Sequence, residues 1–77
     1  MSSEIFLDTR DLEPPEPLEQ VLEALCRLGA GERIRMLNRR EPFPLYAILA
    51  REGYCHETHC AASGDFEILI WSEASRP

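Results

Sequence analysis

No stretch of this chain stays apolar for the roughly 20 residues that a membrane-spanning helix needs. Basic charge is also scarce. Against 14 Asp and Glu there are only 8 Lys and Arg, giving a formal net charge of −6 and a pI near 4.8. Binding a nucleic-acid backbone takes a basic face that displaces phosphate counterions, and anionic membrane surfaces attract polybasic segments. Neither nucleic acid nor membrane is therefore expected as a partner. The opening Met1-Ser2-Ser3-Glu4 has no basic segment leading into an apolar stretch, so no signal peptide is expected and the expected compartment is the cytoplasm. The chain lacks a Ser-His-Asp order, a phosphate loop and a nucleotide fingerprint. No catalytic residue of these classes and no cofactor is expected. Cys-x-x-Cys spacing is missing too. The three cysteines, Cys26, Cys55 and Cys60, are an odd number without a secretion signal, which predicts free thiols.

What is present reads as a folded domain. The 77 residues, 44% hydrophobic and 29% charged, fit one domain of ordinary globular composition. A chain this short buries only about 60–65% of its unfolded surface, so two helices on one sheet nearly exhaust what it can build. Glu4 to Asp8 is short, apolar and rich in strand formers, and predicts the first strand. Pro14, Pro15 and Pro17 cannot lie in a sheet or a helix interior; they predict a rigid loop leading into a helix with proline in its first turn.

The first helix is predicted from Glu16 to Leu28. Leu18, Val21, Leu22, Leu25 and Leu28 recur at helical spacing and form an apolar stripe. Glu16 and Glu19 suit the positive end of the helix dipole and Arg27 the negative end. Gly29-Ala30-Gly31 supplies the stop. Cys26, late in this helix, is expected to be half-buried and inert.

The second strand is predicted from Glu32 to Asn38, with Ile34 and Met36 on one face and Arg33, Arg35 and Leu37 on the other. Pro42-Phe43-Pro44 leads into a second helix over Pro44 to Glu52, with Leu45, Ile48 and Leu49 on one side and Gly53 at its end. Tyr54 to Ala61 and Phe66 to Trp71 predict two further strands around a Ser63-Gly64-Asp65 turn. Phe66, Ile68 and Ile70 share one face. The expected architecture is α+β, a two-layer βαβαββ sandwich: a four-stranded mixed sheet with two helices on one face. Residues 4–71 form the single expected domain, and residues 72–77 are expected to be a flexible tail.

The segment Asp8-Thr9-Arg10-Asp11-Leu12-Glu13-Pro14-Pro15-Glu16-Pro17 resembles the opening of the TusA-like (SirA-like) sulfur carriers. That family begins with a strand, an Asp-x-Arg-x-Leu stretch, and Cys-Pro-x-Pro at the start of its first helix. Asp8, Arg10, Leu12, Pro15 and Pro17 match in register, as does the spacing through Gly31-Glu32 to the second strand, and the likeness extends over residues 4–71. The family's catalytic cysteine falls on Pro14. A thiolate at a helix N-terminus is a good sulfur acceptor because the dipole and free N–H groups lower its pKa; proline offers no nucleophile. The chain is most similar to a branch without an established function that carries proline at this position and a Pro-Phe-Pro-Leu-Tyr-like segment before the second helix. The resemblance implies a sulfur-carrier fold used for binding rather than for persulfide chemistry.

Three other features point to function. Cys55-His56-Glu57-Thr58-His59-Cys60 offers zinc or copper ligand types. On a strand, however, same-face residues four apart lie roughly 13 Å from one another, too far to share one ion. A metal there would need other ligands or a second chain, so no metal site is assigned. Cys55 or Cys60 could instead serve sulfur or redox transfer. Arg10, Arg39 and Arg40 flank two loops that each follow a strand and precede a helix, so they could form an anion site or pair with Asp8, Asp11 and Glu41. Leu37, Leu69 and Trp71 are expected on the sheet face away from the helices, either as a partner surface or under a covering segment.

The favoured reading is a small non-enzymatic binding or adaptor domain with a protein partner, itself a monomer or weak dimer. Rigid, partly apolar loops at helix starts suit recognition because they lose little entropy on binding. The expected contact surface is Leu12, Pro14, Pro15, Phe43 and Pro44, with Arg10 and Arg40 at its rim.

Overall fold

A computed structural model of the chain describes residues 4–73. The elements run β1 (Glu4–Asp8), α1 (Glu16–Arg27), β2 (Arg33–Asn38), α2 (Phe43–Glu52), β3 (Tyr54–Cys60) and β4 (Phe66–Ser72). The strands form a four-stranded sheet in the order β1-β2-β4-β3. β1 is parallel to β2, whereas β4 is antiparallel to both β2 and β3. The β3–β4 hairpin thus inserts its second strand into the middle of the sheet, and α2 crosses over that inserted position. This is the expected α+β fold, with a mixed sheet on one side and two helices on the other.

Alternation along the strands decides which side is buried. Ile5 pairs with Ile34, Ile34 with Ile70 and Ile70 with His56, forming one row across the helix-facing side. Leu7, Met36, Ile68 and Thr58 form the next. Ile34, Met36, Ile68 and Ile70 are fully buried, under Val21, Ala24 and Leu25 of α1 and Leu45 and Leu49 of α2. Each row ends in a polar residue on the edge strand β3, and Tyr46 of α2 covers these ends. Its ring stacks on His56 with centroids 4.1 Å apart and planes 6° from parallel, and its hydroxyl lies 2.6 Å from Thr58 Oγ1. Tyr46 Oη also donates to Glu41 at 3.1 Å. Partial burial, aided by the neighbouring Glu41 carboxylate and opposed by the Thr58 hydrogen bond, raises the Tyr46 pKa above its usual value.

Both helices contain proline in their first turn, Pro17 in α1 and Pro44 in α2, and neither N-terminus has a side-chain cap. α2 ends at Gly53, whose φ of 84° lies in the left-handed region that side chains with a Cβ disfavour. α1 departs from its expected pattern at two places. Leu22, predicted in the apolar stripe, is 36% exposed, because Ala24 lies closer to the centre of the helix–sheet contact and leaves Leu22 at its margin. Cys26, predicted half-buried, is exposed, since it follows Leu25 around the helix onto the outer side. Ser72, expected in the tail, belongs to β4, and the Glu73 N–H donates to the Gly53 carbonyl at 3.0 Å. The rest of that expected tail, 74–77, lies outside the described residues.

The other side of the sheet carries Phe6, Arg35, Leu69 and Glu57 in one paired row, and Glu4, Arg33, Trp71 and Cys55 in another. Two ion pairs cross it. Arg35 donates to Glu67 at 2.7 Å and lies 5.5 Å from the Phe6 ring centroid; Arg33 pairs with Glu4 at 3.0 Å. Leu37, Leu69 and Trp71 are half-buried, while Phe6 remains 52% exposed.

Candidate binding cleft

β1 and β2 are adjacent and parallel, so the loops that follow them emerge side by side at the same end of the sheet. In open α/β layers the crevice outside the C-terminal ends of parallel strands is where loops can build a site. Here the loops of residues 9–15 and 39–42 enclose a cleft of about 760 Å3. Leu12, Pro14, Pro15, Pro17 and Leu18 form one wall and Pro42, Pro44 and Leu45 the other, with Met36 at the floor. Arg10, Asp11, Glu13, Asn38, Arg39, Arg40 and Glu41 complete the lining. The peptide bond between Pro14 and Pro15 is cis.

Local hydrogen bonds hold the two loops in place. Thr9 is the buried polar residue of the described chain, 1% exposed. Its N–H donates to the Leu37 carbonyl at 2.9 Å, and its Oγ1 lies 2.7 Å from that carbonyl and 3.1 Å from Asn38 Oδ1. Asn38 in turn donates through Nδ2 to the Arg40 carbonyl at 2.9 Å. Thr9 and Asn38 therefore tie the first loop to the second across the ends of β1 and β2. Arg10 forms a two-pronged pair with Asp8, Nε to Oδ1 and Nη2 to Oδ2, both at 2.8 Å, and reaches Asp65 in the β3–β4 turn at 3.4 Å. The side-chain and backbone hydrogen bonds from Arg10 lower the Asp8 pKa to about 2, and the same pair raises that of Arg10.

Of the contact residues expected from sequence, Arg10, Leu12, Pro14, Pro15, Arg40 and Pro44 line this cleft. Phe43 does not. It is 67% exposed and packs edge-on against Tyr46, with ring centroids 5.9 Å apart; as the first residue of α2 it points away from the loop that Pro44 faces. Of the three loop arginines, Arg10 pairs with Asp8 and Asp65, and Arg39 has a 3.4 Å contact with Asp11. The Arg40 guanidinium has no ion pair among the described residues. Asn38 was not anticipated as part of the site. The signal was its parity with Ile34 and Met36, which puts a polar side chain on the helix-facing side at the mouth of the loops.

A model of the family described as uncharacterized conserved protein (DUF2249) matches residues 6–72. The chain belongs to this family. Among solved structures, the SirA-like protein from Desulfitobacterium hafniense matches with a TM-score of 0.75 and 25% identity, covering 91% of this chain and 95% of that one. The fold is accordingly SirA-like. A search of curated proteins found no match.

The cysteine–histidine segment is a strand throughout. Cys55, Glu57 and His59 face the open side, while His56, Thr58 and Cys60 lie on the helix side. His59 lies 3.3 Å from Glu57. Among the described residues, no three Cys, His, Asp or Glu side chains converge as a metal ion would require. All three cysteines are free thiols, and none lines the cleft.

Proposed function

We propose that this chain is a small non-enzymatic binding or adaptor domain that holds a protein partner in the cleft between its two proline loops. The observation that carries this reading is the cleft itself, apolar-walled and fixed before any partner arrives. Pro14, Pro15 and Pro17 on one side and Pro42 and Pro44 on the other have restricted backbones, so little conformational entropy is lost on binding. Pro14 stands where the resemblance to sulfur carriers puts the nucleophilic cysteine, which supports membership of the proline-bearing branch and speaks against persulfide transfer at this loop. Free thiols are consistent with a cytoplasmic location, where the domain would act as a monomer or weak dimer.

Two measurements test this reading together. With cysteine desulfurase, cysteine and labelled sulfur, the folded chain should retain no stoichiometric label. With a partner captured from the source cell, Pro14→Ala should weaken binding while leaving the fold unchanged. Label retained on Cys55 or Cys60, traced by mutating each thiol singly, would instead support sulfur or redox transfer.

A further inference from the structure

From the chemistry of the cleft we infer that its partner is a peptide segment in which aliphatic side chains flank a single carboxylate. This inference rests on the binding role proposed above and specifies what is bound. The lining contains no aromatic ring, whereas grooves that read polyproline helices or stack nucleic-acid bases depend on aromatic side chains. The apolar walls are proline and leucine, which suit aliphatic bulk. The helix N-termini at the cleft make a poor phosphate cradle. Pro17 and Pro44 have no N–H, and the N–H groups of Glu16, Phe43 and Leu45 already donate to Glu13, Glu41 and Pro42 carbonyls at 2.9–3.0 Å.

The charged donors at the cleft are guanidinium groups. Arg40 has no ion pair among the described residues, and Arg39 is 70% exposed with one 3.4 Å contact to an Asp11 that is itself 93% exposed. A guanidinium matches a carboxylate in a two-pronged fork. Asp11, Glu13 and Glu41 line the same cleft, Glu41 accepting the Tyr46 hydroxyl, so a polyanion would be repelled while one carboxylate next to Arg40 would be accepted. Arg27 and Arg51 lie in the last turns of α1 and α2, at the opposite end of the sheet, and cannot serve this site. Pro14, Pro15, Arg39, Arg40 and Pro44 are all exposed at the rim. Such an open trough suits a chain passing through it, whereas a small-molecule site engulfs most of its ligand.

The test uses the whole chain, isotope-labelled, and three probes: a capped six-residue peptide of leucine and alanine with one central glutamate, the same peptide with glutamine, and inorganic pyrophosphate. The glutamate peptide should shift amides of Leu12, Arg39 and Arg40 and bind about fivefold more tightly than the glutamine peptide, the margin expected when a charge-assisted hydrogen bond replaces a neutral one. In Arg40→Gln that preference should shrink towards unity. Equal binding of the two peptides at the cleft would overturn the carboxylate inference and leave the binding role standing; tighter binding of pyrophosphate there would overturn the peptide inference and count against a protein partner. Shifts confined to Leu69 and Trp71, or none with any probe, would overturn both.

Discussion

Thr9 is the residue on which the geometry of the cleft turns, and Thr9→Val is the substitution that isolates its contribution. Valine keeps the shape and the backbone N–H, which still donates to the Leu37 carbonyl at 2.9 Å. What disappears is the hydroxyl, 2.7 Å from the Leu37 carbonyl and 3.1 Å from Asn38 Oδ1. A neutral hydrogen bond contributes about 1 kcal/mol net, and in a domain of this size that lowers Tm by about 4–8 °C. Thr9→Ser makes the opposite change, keeping the hydroxyl and losing a buried methyl worth about 0.8 kcal/mol. The two losses are nearly equal, so stability alone does not separate them. Amide chemical shifts do. Thr9→Val should move resonances of Asn38 to Glu41 and of Arg10 to Leu12, because Asn38 loses the partner that orients its bond to the Arg40 carbonyl. Thr9→Ser should leave the second loop unchanged. If the valine variant melts as the wild type does and its shift changes stop at the neighbours of residue 9, the two loops are not coupled through Thr9.

Other outcomes follow from the packing and charges. Leu49, fully buried between α2 and the sheet, should cost about 2–5 kcal/mol when truncated to alanine, read by urea unfolding; a loss under 1 kcal/mol would contradict its core position. Gly53→Ala should destabilise by about 1–2 kcal/mol. A Cβ there meets no atom within 4 Å, so the penalty would come from the φ of 84° alone, and thermal melting checks it. The Asp8 carboxyl has its pKa lowered from 3.8 to about 2 by Arg10. The stability this pair adds is fully present above pH 3.8 and is lost as pH falls through about 2; Asp8→Asn should flatten that part of the acid unfolding curve. Thiol reagents should label the exposed Cys26 and Cys60 faster than the half-buried Cys55, and mass spectrometry of partly labelled protein orders them.

The elements were legible because their signals were local. The alternation of Phe66, Ile68 and Ile70, the helical spacing of Val21 and Leu25, and the stop at Gly53 each reflect a backbone periodicity or dihedral that few neighbours could override. The face assignment of Cys55 to Cys60 followed from strand parity in the same way. The misplacements came from side-by-side packing that spacing cannot resolve. Leu22 and Ala24 both lie near the edge of the α1 stripe, and only the position of the helix over β1 and β2 gives the contact to the smaller residue. Phe43 and Pro44 are adjacent in sequence, which suggests a shared surface, yet one helical step turns them to different sides. Thr9 and Asn38 were not foreseen as the tie between the loops, since that link exists only once β1 and β2 pair in their observed register.

The most direct measurement is an amide chemical-shift map of the labelled chain, titrated with its captured partner. The cleft reading predicts shifts concentrated on Leu12, Arg39, Arg40 and Leu45, with the open sheet face silent and all three thiols unmodified by mass spectrometry. A map centred on Phe6, Leu69 and Trp71, or a complex held through modified Cys55 or Cys60, would contradict it.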